Sequence, residues 1–350
     1  MKMADLNQLL RDNIRKLIPY SSARNEYKGD AAVFLDANEN PYNEPVNRYP
    51  DPLQIQLKEQ IAHIKNVSPE MIFLGNGSDE AIDLIIRAFC EPRTDNIVAV
   101  DPTYGMYKVC ADINDVEYRK VLLTPAFDPD VESLLEKADD NTKIIFLCSP
   151  NNPTSNSFPR EGIIRILKAF KGIVVLDEAY IDFSSGKGFL PSLAEFPNLV
   201  ILQTFSKAWG MAGIKLGMAF ADPFIIAVLT KIKYPYNINM LTMEIALKSL
   251  KNITGKEQWV ASILQQREIL AGELKNFSFI IKVFPSDANF LLVKVDQPRE
   301  IYQYLVSRKI IIRDRSNASL CDGCLRITVG TPDENARLTK ALKEYQEIRS

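Results

Sequence analysis

The segment TFSKAWGMAGIKLG, residues 204–217, holds a lysine, Lys207, between small residues just after an apolar run. Its neighbours are Thr204, Ser206, Ala208 and Trp209. A lysine partly withdrawn from water loses basicity and becomes a usable amine nucleophile, the requirement for bonding to a carbonyl carbon. The alternative is a structural lysine in an unusual place. In VVLDEAY, residues 174–180, an apolar run delivers Asp177 to a strand end, where open α/β sheets place their sites. A carboxylate there can pair with a protonated ring nitrogen, and Tyr180 can donate to a phenolate. Equally, Asp177 can simply cap the next turn. SPNNPT (149–154) is a turn that offers the Asn152 amide at the same sheet edge. GNGSDE (75–80) is a glycine turn opening a helix. Backbone N–H groups of Gly77, Ser78 and Asp79 would there suit a phosphate. It is neither a Walker A loop nor GxGxxG. In DPTYGMY (101–107), Tyr104 follows a strand and can stack on a planar ring.

Composition removes several other chemistries. The only histidine, His63, sits in QLKEQIAHIKNV, which reads as a surface helix, so triad hydrolysis and histidine-ligated metals are nearly excluded. Five cysteines have no framework spacing. Cys321-Asp-Gly-Cys324 lacks the second pair or histidines of a zinc site and reads as a turn with two free thiols, so no metal is expected. Net charge is -2 without a basic stripe, which argues against nucleic acid. No apolar run reaches the roughly 18 residues of a membrane span, and the N-terminus lacks a secretory core, so a cytoplasmic location is expected.

The elements that must position these residues are legible from residue 70 onward. Strand candidates are MIFLG (71–75), NIVAV (96–100), VEYRKVLL (116–123), KIIFLCS (143–149), GIVVLDEAY (172–180), LVILQTF (199–205) and KLGMAFA (215–221). Helical stretches alternate with them, the first opening at Ser78 with Asp79 and Glu80 in its first turn. That alternation predicts an α/β fold, with a large, mainly parallel seven-stranded sheet. Residues 239–275 read as one long helix. Beyond them the order is strand (FSFIIKVF), strand (NFLLVKV), helix (REIYQYLVSRK), strand (IIIR), strand (CLRITVG) and helix, a smaller α+β domain. The expected divisions are 1–45 as an N-terminal arm joining the small domain, 46–265 as the large domain and 266–350 as the small one.

The order of these motifs (phosphate turn, stacking aromatic, Asn, Asp with Tyr, then Lys) resembles that of fold-type I enzymes dependent on pyridoxal 5′-phosphate (PLP). With DANENPY (36–42), RYPDP (48–52) and LRITVGT (325–331), the chain resembles the histidinol-phosphate aminotransferases over nearly its whole length. The resemblance implies the aspartate-aminotransferase-like fold. It implies that Lys207 holds PLP as a Schiff base and shuttles a proton. Asp177, Tyr180 and Asn152 would bind the pyridine nitrogen and phenolic oxygen, and Tyr104 would stack on the ring. Thr204, Ser206 and the Gly77–Asp79 turn would cup the phosphate. The family usually has arginine eight residues past the lysine; here Lys215 keeps the charge but not the bidentate fork. Tyr49 matches a tyrosine reaching the neighbouring subunit's cofactor, which implies a homodimer. Arg326 and Arg313 match the substrate-anion arginines, and Arg315 is a weaker candidate. Tyr20 and Asn38 match segments near the substrate side chain. The implied reaction moves the amino group between L-histidinol phosphate and 2-oxoglutarate, giving imidazole-acetol phosphate and L-glutamate in histidine synthesis. Rivals on the same scaffold are a threonine-phosphate decarboxylase and an aromatic-amino-acid aminotransferase. A non-catalytic regulator would need a DNA-binding segment, for which too few residues precede the enzyme motifs.

Overall fold

The computed structural model describes residues 6–20 and 33–349. Seven strands form the large sheet: β1 (Ile72–Asn76), β2 (Asn96–Asp101), β3 (Glu117–Leu122), β4 (Thr142–Cys148), β5 (Ile173–Asp177), β6 (Leu199–Thr204) and β7 (Leu216–Phe220). Their spatial order is β1-β7-β6-β5-β4-β2-β3, with only β7 antiparallel to its neighbours. The central strands are near-continuous apolar runs because helices cover both faces: every residue of β5 and β6 is buried. One face packs Val174, Leu176, Ile201 and Phe220. The other packs Val175, Leu202 and Ala219 against the helix Gly77–Phe89 through Ala81, Ile82, Ile85 and Phe89, the spacing of one helical face. Edge strand β3 is mostly exposed and carries Arg119 and Lys120, charges that discourage edge-to-edge pairing.

The smaller sheet has order β10-β11-β9-β8, with β8 (Ile280–Val283), β9 (Phe290–Val295), β10 (Arg313–Asp314) and β11 (Cys324–Thr328), all antiparallel. Its own core includes Leu291, Val293, Leu325 and Leu342. The two sheets meet where Phe290 packs edge-on against Tyr180, ring centroids 5.2 Å apart, beside Val260 and Ala208. Arg267 reinforces the joint by donating to the Phe183 and Ala288 carbonyls.

Several details differ from the sequence expectation. The stretch 239–275 is two helices, Met240–Ser249 and Ile253–Leu274, because the Asn252 side chain accepts the Gly255 N–H and starts a new N-terminus. The division expected at 265/266 falls inside that second helix. It serves the joint through Val260 and the small core through Leu270 and Leu274. The apolar run Ile310–Ile312 is not a strand; ladder pairing begins only at Arg313, opposite Arg326. The short helices Leu6–Leu9 and Asp12–Lys16 pack on the large domain rather than joining the small one. Leu10 and Ile14 enter its core, and Lys231 Nζ donates to the Ile14 carbonyl. Residues 1–5 and 21–32 of the expected arm lie outside the described residues. His63 lies exposed on the helix Ile55–Lys65, as its sequence context suggests.

Candidate active site

A cavity of about 280 Å³ opens at the carboxyl ends of β1, β4, β5 and β6. Each residue reaches it for a local reason. Asp177 is the last residue of β5, and apolar strand residues around it leave it 2% exposed. Burial pushes its carboxyl up to about 6, against the opposing effects of two donors. Tyr107 Oη donates to Oδ2 at 2.9 Å, and the Ala179 N–H donates to Oδ1 at 3.0 Å. Across the cavity, Lys207 lies in the turn after β6. Burial lowers its basicity, Arg326 lowers it further, and Asp177 and Asp79 partly offset both. Its Nζ is 5.7 Å from the centre of the Tyr180 ring. An amine of lowered basicity therefore shares a small chamber with a buried carboxyl.

The anion end is built by the turn from β1 into the helix Gly77–Phe89. Gly77 has φ +71, a left-handed conformation that favours glycine. Gly217 on β7 lies against this turn, and a Cβ there would stand 2.1 Å from the Ser78 nitrogen. The Gly77 N–H is taken by the Lys215 carbonyl, so of the three expected donors it does not face the cavity free. Ser78 and Asp79 remain at a helix start where Asn76 makes no side-chain cap, an arrangement suited to phosphate. Thr204 and Ser206 add hydroxyls, 3.1 Å apart. Lys215 Nζ donates to Asp79 Oδ2 at 2.9 Å, and Tyr104 Oη donates to Asp79 Oδ1 at 2.9 Å. One carboxylate thus fixes both the cavity's cation and the ring of Tyr104.

Asn152 joins this floor to the small sheet. Its amide donates to Tyr180 Oη at 3.3 Å, and its carbonyl accepts from Arg326 Nη1 at 2.6 Å. Arg326 lies over Phe290, 5.3 Å from the ring centre. Arg313 pairs directly across the ladder from it.

The cavity gathers Gly77, Ser78, Asp79, Tyr104, Asn152, Asp177, Tyr180, Thr204, Ser206, Lys207 and Lys215 from the sequence expectation. Arg326 borders it through Asn152. Tyr20 and Asn38 do not line it; both are exposed. Tyr49 is also outside it, stacked on Tyr236 at 4.4 Å and 51% exposed. Cys148 and Ala179 line the cavity without having been expected. Tyr107 was missed as well. It is fully buried, stacked on Phe146 at 4.6 Å and bonded to Asp177. Its place was set by the fold: Tyr104 precedes the helix Met106–Ile113, Tyr107 lies in its first turn, and their rings meet edge-on with centroids 5.6 Å apart. Cys321 and Cys324 are free and buried. Among the described residues, no group of three or more His, Cys, Asp or Glu is placed to hold a metal ion, and no helix is long and apolar enough to cross a membrane.

A family model described as aminotransferase class I and II matches residues 23–342. A histidinol-phosphate aminotransferase from Bacteroides thetaiotaomicron is 58% identical over 345 residues, covering 98% of this chain and 100% of the relative. Among solved structures, the histidinol-phosphate aminotransferase of Clostridium acetobutylicum aligns with a TM-score of 0.80 at 27% identity, covering 87% of this chain and 92% of that one. The fold is also that of the Sinorhizobium meliloti histidinol-phosphate aminotransferase in complex with pyridoxal-5′-phosphate. That match has a TM-score of 0.78 at 23% identity and covers 87% of this chain and 84% of that one.

Proposed function

The chain belongs to the class I and II aminotransferase family, and from that premise we propose that it interconverts L-histidinol phosphate and 2-oxoglutarate with imidazole-acetol phosphate and L-glutamate. In the biosynthetic direction this is a step of L-histidine synthesis, carried out in the cytoplasm. The observation that carries the reading is one chamber holding Lys207, Asp177 and Tyr180, bounded by Arg326 through Asn152. The full-length 58% identity to a histidinol-phosphate aminotransferase favours this substrate over a decarboxylase or aromatic-amino-acid reading of the same fold.

The cavity's chemistry fits PLP: an uncapped helix start for its phosphate, a ring at Tyr104 and a buried acid at Asp177. Bound there, PLP supplies an electron sink for the electrons released at an amino acid's α-carbon. Asp177 holds the positive charge of a pyridinium nitrogen, because a buried anion without a cation is costly. Lys207 Nζ takes the substrate α-proton as general base and holds it for return; burial and Arg326 lower its basicity, which favours the neutral amine that role needs. Tyr180 receives the Asn152 N–H, so its own proton is left for a phenolic oxygen. Arg326 receives the glutamate carboxylate or the substrate phosphate in turn. Tyr49, which lies outside its own cavity and stacks on Tyr236, would reach a partner subunit's site in a homodimeric working enzyme.

The test is turnover of L-histidinol phosphate with 2-oxoglutarate by the purified, PLP-loaded protein, following glutamate and imidazole-acetol phosphate. Lys207→Ala is expected to abolish it while leaving the circular dichroism spectrum unchanged. Carbon dioxide release from an amino-acid phosphate, or turnover of aromatic amino acids with none of histidinol phosphate, would overturn the substrate. Undiminished turnover by Lys207→Ala would overturn the mechanism.

A further inference from the structure

Arg315 makes no side-chain hydrogen bond to any described residue, and its Nε is fully buried without a partner. Its backbone N–H donates to the Cys324 carbonyl at 2.9 Å, which extends the β10–β11 ladder by one residue. Residues two apart on a strand share a face, and so do cross-strand partners. Arg313, Arg315 and Arg326 therefore stand on one face of this hairpin, with Arg313 directly opposite Arg326. It is the face turned to the large domain, since Phe290 and Leu292 lie on it and pack against the joint and the large core.

No carboxylate among the described residues pairs with any of the three. Asp314, the nearest acid in the chain, accepts from the Ser316 N–H and hydroxyl instead. Asp101 accepts from Ser319, which pins the same loop to the end of β2, and from Lys120. Burial and the other two guanidiniums hold Arg315 below its ordinary basicity, with Cys321 and Tyr180 as the groups that oppose this. Like charges placed opposite one another on a ladder are destabilising, and a buried donor left unpaired costs more than a paired one. Three guanidiniums on one face of the hairpin, one of them with a buried unpaired Nε, are a standing cost that a multiply charged anion offsets.

We propose that Arg315 is a third guanidinium of the substrate-anion site and the residue that makes it prefer a phosphate monoester dianion over a carboxylate. This rests on the proposed substrate, and it assigns the preference to a residue whose neighbours alone would serve either anion. A phosphate monoester presents three terminal oxygens and two charges at neutral pH, whereas a carboxylate presents two oxygens and one charge. A carboxylate is saturated by one fork; a phosphate still has acceptors for another.

The experiment uses PLP-loaded enzyme, in which the cofactor phosphate would occupy the Ser78–Asp79 end. Arg315→Gln is expected to raise KM for L-histidinol phosphate about 10-fold or more, the effect of losing one charge-assisted hydrogen bond. KM for glutamate is expected to change less than about twofold, and inhibition by inorganic phosphate to weaken in parallel with the histidinol-phosphate effect. Arg315→Lys is expected to recover part of the phosphate preference, because it restores charge without the fork. Equal losses for glutamate and histidinol phosphate, or an unchanged KM ratio, would overturn the assignment. Should wild-type enzyme fail to use histidinol phosphate at all, the proposed function falls. Arg315 is then judged by inorganic phosphate alone: weaker binding in Arg315→Gln than in wild type sustains the anion site, and equal binding removes it.

Discussion

The floor and the rim of the cavity handle charge in opposite ways. On the floor, both carboxylates have donors: Asp177 is bonded by Tyr107 and Ala179, and Asp79 by Lys215 and Tyr104. At the rim, Arg313, Arg315 and Arg326 share one ladder face, with the Asn152 carbonyl as the only side-chain acceptor that reaches any of them among the described residues. The floor is strand ends inside the large core, where an unpaired charge would be prohibitive. The rim is a two-stranded edge of the small sheet, open enough to tolerate cations that await an anion. The carboxylates of the cavity are thus held in a bonded network, while the guanidiniums of the rim keep, among the described residues, a single side-chain acceptor.

The strongest break of this contrast is Asp177→Asn. Loss of the anion on the floor is expected to lower kcat by about 10³-fold or more, as for removal of a preorganised electrostatic group. The same change should stabilise the protein when PLP is absent. The folded carboxyl titrates near 6 and the unfolded one near 3.9. The folded state is therefore penalised for ionisation at neutral pH, by on the order of 3 kcal/mol, and the penalty disappears as pH falls through 6 towards 4. Thermal unfolding of cofactor-free protein should show a higher midpoint for the variant at pH 7.5 and little difference at pH 4. A variant less stable than wild type at pH 7.5 would mean the floor is not charge-strained.

Tyr107→Phe sharpens the contrast by removing one floor donor and nothing at the rim. The Asp177 carboxyl should then titrate higher, moving the acid limb of the kcat/KM profile to higher pH. The expected loss is about 10-fold near pH 6.5 and smaller at pH 8.5. A uniform loss at all pH values would assign Tyr107 to packing alone. The smallest effect belongs to Lys215→Arg, where a forked cation can hold Asp79 and a phosphate together. PLP dissociation, followed by fluorescence titration, should tighten by about threefold to tenfold. Unchanged affinity would mean that the present lysine is consumed by Asp79.

Much of the floor was readable in the chain because its parts are local. An apolar strand followed at once by Asp177, by SPNNPT or by GNGSDE states both the element and the side of the sheet on which it ends. The rim was harder. The apolar run Ile310–Ile312 looks like a strand, but pairing is decided by where β11 begins, a contact between residues 13 apart. Tyr107 was not singled out in the chain, because its partner Asp177 lies 70 positions away and only the fold brings them together.

The sequence by itself determined the alternation of strands and helices and the order in which the cavity-lining residues, Lys207 among them, follow the strand ends. These follow from hydrophobic period and short-range turn chemistry, which act within a few residues. Only the tertiary structure decided which charges are paired. It gave Tyr107 to Asp177, took the Gly77 N–H for the Lys215 carbonyl and set Arg315 beside Arg313 and Arg326 with no carboxylate partner among the described residues. Pairing depends on distance and desolvation between segments far apart in the chain, and neither is written in local pattern.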